Sequence, residues 1–250
     1  MHSVIKKLKE FKLSGMVLTI EERLRLANST KLSYLELLEL LCDDESANRK
    51  DNNYKRRYLA AKLPSHKTLE DFDFNFQRSL DERQVNDVAT CKFIKDKHNL
   101  ILIGDSGTGK THLAMSFALK ALSKEYKVFF TSVSDMLYSL HIAKADNSYH
   151  RLLQKYVSYD LLVLDELGFK SLPKYSSDDF FSVISKRYEQ ASTIITTNKD
   201  FDAWNDIFED PVLTKAIVDR VMHHAEIFRI KGMSYRTRTS NQMKNEAKVG

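Results

Sequence analysis

A chain of 250 residues, 42% hydrophobic, with only seven glycines and three prolines, can bury a sizeable core and is not low-complexity or disordered overall. Its formal charge of +5 is compatible with an acidic polymer as partner without requiring one. Cys42 and Cys91 lie far apart and outside any C-x-x-C spacing, which argues against a disulfide framework or a thiolate metal site and suits reduced thiols.

No apolar run is long enough to span a membrane, and the opening MHSVIKKLKE has no apolar signal core. A soluble, cytoplasmic protein with no membrane partner is expected. Ile5, Leu8, Phe11 and Leu13 trace a helical stripe with lysines on the other face. A second apolar cluster, Leu32, Leu35, Leu38, Leu40 and Leu41, accompanies Ser33 and Glu36. Those two fit a capping box, in which serine and glutamate satisfy each other's backbone donors. The run 49–58, RKDNNYKRRY, then sets Arg49, Lys50, Lys55, Arg56 and Arg57 among Tyr54 and Tyr58. Such a run could neutralise DNA phosphates or form a solvated helical face. It has no base-reading pattern, so any nucleic acid would be held by its backbone. Pro64 closes this region before TLEDFDF. The expected division is a helical N-terminal domain over 1–68 contacting DNA or a partner, a core over 69–236, and a basic tail over 237–250.

From residue 99 the rhythm changes to short apolar runs at Leu100–Ile103, Val128–Val133, Leu161–Leu164, Thr193–Thr197 and Ile227–Ile230. Amphipathic stretches 110–123, 135–143, 178–188 and 212–223 separate them. Asp210 followed by Pro211 marks a helix start, a side-chain cap and then a residue that needs no N–H. Alternating strands and helices imply an α/β fold with a parallel sheet covered on both faces.

Between the first strand and the first of these helices stands GDSGTGKT, residues 104–111, which fits G-x-x-x-x-G-K-[ST]. A glycine-rich turn at a helix N-terminus points successive N–H groups at phosphate oxygens. Gly104, Gly107 and Gly109 permit the close approach, and Asp105, Ser106, Thr108 and His112 complete the loop. Lys110 would reach the terminal phosphates, and the Thr111 hydroxyl would bind Mg²⁺. In LLVLDELGF, residues 161–169, four apolar residues form a buried strand whose C-terminal end carries Asp165 and Glu166, suited to holding Mg²⁺ and to polarising an attacking water. Asn198, after STIITT, could orient that water from the γ-phosphate side. Arg220 and Arg236 are candidates for stabilising charge on the transferred phosphoryl group, Arg220 across a subunit boundary and Arg236 in cis; either could instead make a surface ion pair. The adjacent His223 and His224 would point apart on a helix, so a structural role is expected of them.

With these residues assembled, the chain resembles the IstB-like helper ATPases of insertion sequences, relatives of the DnaC-type helicase loaders. The resemblance runs through LKEFKLSGM, LPSHKTLEDFDF, GDSGTGKTHLA, YDLLVLDELGF, the run from Arg187 to Ala225, and KGMSYR. It implies an AAA+ P-loop core, a five-stranded parallel sheet between helices, with a small helical N-terminal domain and no full C-terminal lid. It also implies ATP and Mg²⁺ as cofactors, a homo-oligomer with ATP at subunit interfaces, duplex DNA, and an IstA-like transposase as partner. By position, Lys110, Thr111, Asp165, Glu166 and Asn198 take the phosphate, metal, catalytic and sensor roles. Arg220 becomes the trans-acting finger and Arg236 a second sensor. The stretch VLTIEERLRLANST replaces the family's usual acidic, alanine-rich segment, which leaves the transposase unidentified. The alternative is a replicative helicase loader that binds single-stranded DNA. A pure nucleotide switch would not need Glu166, and a small-molecule kinase would need a lid that no segment supplies.

Overall fold

The computed structural model describes residues 2–169, 172, 176–208 and 210–235. The chain divides into two compact units between Arg57 and Tyr58.

The first unit is helical. Helix α1 spans His2–Glu10, α2 Ser14–Thr30 and α3 Tyr34–Ala61, the last running past the division. The capping box forms as expected: Ser33 N–H donates to Glu36 Oε2 at 2.7 Å, and Glu36 N–H to Ser33 Oγ at 3.3 Å. Helix α1 stops before Phe11, which is left largely exposed, and Lys12 turns the chain with φ 58°. The leucine cluster is not a buried face, since Leu35 and Leu38 are exposed and only Leu41 is buried. Instead, α2 and α3 meet at Gly15. A Cβ there would lie 2.6 Å from Glu45 Cα and 2.7 Å from Asp44 O. The Glu45 carboxylate accepts from Gly15 N–H and Met16 N–H, satisfying donors at the start of α2. Arg23 closes the same pair of helices with a two-pronged bond to Asp44, at 2.8 and 2.7 Å.

In the second unit, α4 (Glu82–Ala89) and α5 (Lys92–Lys95) precede strand β1 (Asn99–Gly104). Helix α6 is Lys110–Ser123, β2 Val128–Ser132, α7 Val133–Ala145 and α8 Tyr149–Val157. Then come β3 (Leu161–Leu167), α9 (Ser176–Arg187), β4 (Ser192–Thr197), a 3-10 turn at Phe201–Asp206, α10 (Pro211–Met222) and β5 (Ala225–Ile230). All five strands pair in parallel, in the order β2-β3-β4-β1-β5. Asp210 caps α10 by accepting from Val212 and Leu213 N–H, with Pro211 next, as its sequence implied. Val133, expected at the end of a strand, instead opens α7, because Ser132 Oγ accepts Asp135 N–H and caps the helix there.

Strand side chains alternate between the two faces. Ile101, Ile103, Leu162, Leu164 and Ile195 join the cluster built with α7 to α10, around the fully buried Trp204 and Phe180. Helix α6 covers the other face and is buried nearly all round, from Leu113 to Leu119 and again at Ala121 and Leu122. Residues of that second parity, Asp165 and Thr196 among them, therefore look toward the start of α6. Arg187, 1% exposed, ends α9 inside the protein. Its guanidinium donates to the carbonyls of Tyr156, Tyr159 and Ser192, joining α8, the turn that leads into β3, and the start of β4. Burial pushes its pKa down to about 9.

Candidate phosphate-binding site

The turn between β1 and α6 has the shape its glycines permit. Gly107 and Gly109 have φ of 82° and 98°, the left-handed region that disfavours any side chain. Space forbids one as well: a Cβ on Gly109 would sit 2.7 Å from the Phe72 ring, and one on Gly107 would run into Ser234. Tyr235 N–H donates to Gly107 O at 3.0 Å, so the chain leaving β5 lies against the loop. Thr108 is fully buried and ties the turn by donating to Asp105 O. The Lys110 ammonium donates to Gly104 O and Asp105 O at 2.7 and 2.8 Å, and so closes the loop on itself.

Thr111, one residue into α6, donates to both oxygens of Asp165, at 2.9 and 3.1 Å. Asp165 is 6% exposed and takes a second hydroxyl, that of Thr196 on β4, at 2.5 Å. A hydroxyl and a carboxylate facing each other at the mouth of a phosphate-type loop are the hard oxygen donors that suit Mg²⁺.

The strand is irregular just beyond Asp165. Leu164 pairs with Ile195 and Leu167 with Thr197, so three steps on β3 match two on β4. Glu166 fills the extra place with φ 64°. Its N–H turns out of the ladder to donate to Thr196 Oγ1 at 2.9 Å. Such a bulge re-aims side chains: Asp165 stays buried, Leu167 returns to the core, and Glu166 faces solvent in the cavity.

That cavity, about 600 Å³, is lined by Ser106 to His112, Glu166, Thr196 and Asn198, and on its other side by Phe72, Phe76 and Tyr235. Gly104, Asp105 and Asp165 stand behind the lining and act through the bonds just described. His112 Nε2 meets Thr68 O at 2.7 Å, and Phe72 packs edge-on to its ring, anchoring the 64–77 segment beside the loop. Arg220 lies elsewhere. Its guanidinium sits over the Phe181 ring, 4.9 Å away, donates to Ala216 O, and borders a separate depression with Val212, Lys215 and Met222. Arg236 lies outside the described residues. In the first unit, Lys50 is exposed and three of the basic residues are paired locally: Arg49 with Glu45, Lys55 with Asp51 and Arg56 with Asn53. Thr196 and the aromatic wall escaped the sequence reading. Threonine in a β-strand is ordinary, and Phe72 and Phe76 sit in a segment without periodicity.

A parallel sheet in this strand order, with a phosphate loop after β1 and a buried aspartate on β3, defines a P-loop ATP-binding protein of AAA+ fold. Its likeness to solved structures agrees. The DnaC helicase loader superposes with a TM-score of 0.54 at 23% identity, over 71% of this chain and 99% of that one. DnaA from Aquifex aeolicus, solved with AMPPCP, gives 0.54 at 22%, over 74% and 56%. The chain belongs to the family described as IstB-like ATP binding protein, whose family model matches residues 6–243. It is 35% identical to the insertion sequence IS232 relative from Bacillus thuringiensis subsp. berliner, over 96% of each chain. With the insertion sequence IS21 relative from Pseudomonas aeruginosa it shares 36%, over 94% of this chain and 89% of the other. Among the described residues no helix is long and apolar enough to cross a membrane.

Proposed function

We propose that this chain is an Mg²⁺-dependent ATPase that assembles on duplex DNA and recruits a transposase for its insertion sequence. The observation that carries the reading is the bulge in β3. It keeps Asp165 bonded to Thr111 and turns Glu166 into the same cavity as the phosphate loop. A protein that only bound nucleotide would have no use for a carboxylate held in that backbone conformation.

In this reading the N–H groups of residues 106–111 cradle the phosphates, and Lys110 leaves its carbonyl partners for the β- and γ-phosphate oxygens. Thr111 and Asp165 would hold Mg²⁺, which neutralises charge on those oxygens. Glu166 polarises the attacking water and Asn198 orients it. Phe72, Phe76 and Tyr235 give the base an apolar wall. Arg220, outside its own cavity, supplies positive charge to the ATP of a neighbouring copy, which makes assembly and hydrolysis interdependent. The helical region over 1–68, with Arg49, Lys50, Lys55, Arg56 and Arg57, faces DNA or the transposase.

The test compares duplex with single-stranded DNA, with and without ATP, by sedimentation. Large ATP-dependent assemblies on duplex, absent in Lys110→Ala and persistent without turnover in Glu166→Gln, are expected. A single-strand preference would favour the helicase-loader alternative. A monomer indifferent to both DNAs would overturn the proposal.

A further inference from the structure

The far end of the sheet from the phosphate loop carries a group of side chains that nucleotide chemistry does not use. Helix α9 ends at Arg187 and the chain turns through Tyr188 and Glu189; α10 ends at Met222, just before His223 and His224. The two imidazoles, at the C-terminal end of α10, are not splayed apart. Their ring centres approach to 4.0 Å. Glu189 Oε1 lies 3.9 Å from His223 Nδ1 and 3.7 Å from His224 Nε2. One donor atom from each of the three residues falls within 4.8 Å of the others.

We infer that Glu189, His223 and His224 form a binding site for a transition-metal dication of the Zn²⁺ class. Two imidazoles and one carboxylate are a borderline-soft donor set that suits Zn²⁺ or Co²⁺ and is poor for Mg²⁺. Donors around a tetrahedral Zn²⁺ lie about 3.3 Å apart. The two carboxylate–imidazole spacings need about half an ångström of closure and the imidazole pair, within 4.8 Å, up to about 1.5 Å, which side chains 43% to 52% exposed can supply by rotation. Aromatic neighbours border both rings. His98 stacks on His224 with an interplanar angle of 5°, and Tyr188 Oη bonds His223 Nδ1 at 2.7 Å. A metal at that nitrogen displaces the phenol, and water completes the coordination. The ion would join the turn after α9 to the end of α10, three residues beyond Arg220.

The experiment uses the full chain, stripped with chelator and titrated with Co²⁺ and then Zn²⁺ at neutral pH over about 1 mM Mg²⁺, which does not compete for nitrogen donors. One Co²⁺ per chain with intense tetrahedral d–d bands, displaced by Zn²⁺, is expected, together with a raised melting temperature. Glu189→Gln, His223→Gln and His224→Gln should each weaken binding at least about tenfold. His141→Gln, an exposed histidine on α7, should leave it unchanged. No stoichiometric binding, or affinity that survives the three substitutions, would overturn the site. Neither outcome depends on ATP hydrolysis, so failure here leaves the proposed function standing, and the reverse holds as well.

Discussion

Thr196 bonds two successive residues at once, and this makes its hydroxyl worth more than one hydrogen bond. It donates to Asp165 Oδ1 and accepts from the N–H of Glu166, so it sets where the metal-type carboxylate sits and which way the next residue turns. Thr196→Val keeps shape and burial but removes both bonds. The Glu166 N–H then goes unmet and Asp165 keeps only its bonds from Thr111, at a cost of about 1–3 kcal/mol. The expected result is a lower melting temperature, and ATP turnover reduced by about 10- to 100-fold with nucleotide affinity less affected, because the loop itself is untouched. Steady-state kinetics beside equilibrium nucleotide binding check this. Unchanged turnover would mean that the bulge holds without the threonine. The example also shows where sequence reading stops. Lys110, Thr111, Asp165 and Glu166 announce themselves by spacing. Thr196 follows from register, which a single chain does not display, and the bulge reaches the eye only as two acidic residues ending an apolar run.

At the scale of elements, apolar periodicity located all five strands and the four helices α6, α7, α9 and α10, each within a few residues. It missed α8, although Tyr149, Leu152, Leu153, Tyr156 and Val157 follow a helical stripe against the core, because that stripe lasts only nine residues. The apolar cluster of α3 is not a core face, since Leu35 and Leu38 are exposed. The crossing of α2 and α3 rests on Gly15 and polar bonds instead. Gly15→Ala would force the helices apart at Glu45 and disturb the Glu45 cap, so a loss of about 1–3 kcal/mol is expected, read by chemical denaturation. The same pair of helices should be acid-sensitive. The Arg23 hydrogen bonds hold the Asp44 carboxyl down to about 2. A depressed carboxylate pKa stabilises the folded state above the unfolded value, about 3.9, and that contribution disappears as pH falls through the folded value. Between pH 4 and pH 2 the wild type should therefore lose more melting temperature than Asp44→Asn, which has already lost the pair. Parallel acid profiles of the two would show Asp44 to be inert.

For the whole molecule the decisive question is whether one chain contains a complete catalytic site. The cavity holds the phosphate loop, Glu166 and Asn198, while Arg220 stacks on Phe181 and borders a different depression. Within one copy, then, the arginine and the ATP site are apart. If a neighbour supplies Arg220, two inactive variants should repair each other. Glu166→Gln assembles without turnover but still offers its arginine, and Arg220→Ala offers an intact Glu166. Mixed in equal amounts, they should pair at random, so that about a quarter of interfaces combine an intact Glu166 with an intact arginine. ATPase activity should rise from near zero in each variant alone to about that fraction of wild type in the mixture. It should also grow more steeply than linearly with protein concentration, because the active unit is an interface and not a chain. An arginine acting on its own nucleotide would give a mixture no better than its parts, since each chain lacks one essential group whatever stands beside it. That result would remove Arg220 from the interface and, with it, the physical link between ATP hydrolysis and assembly.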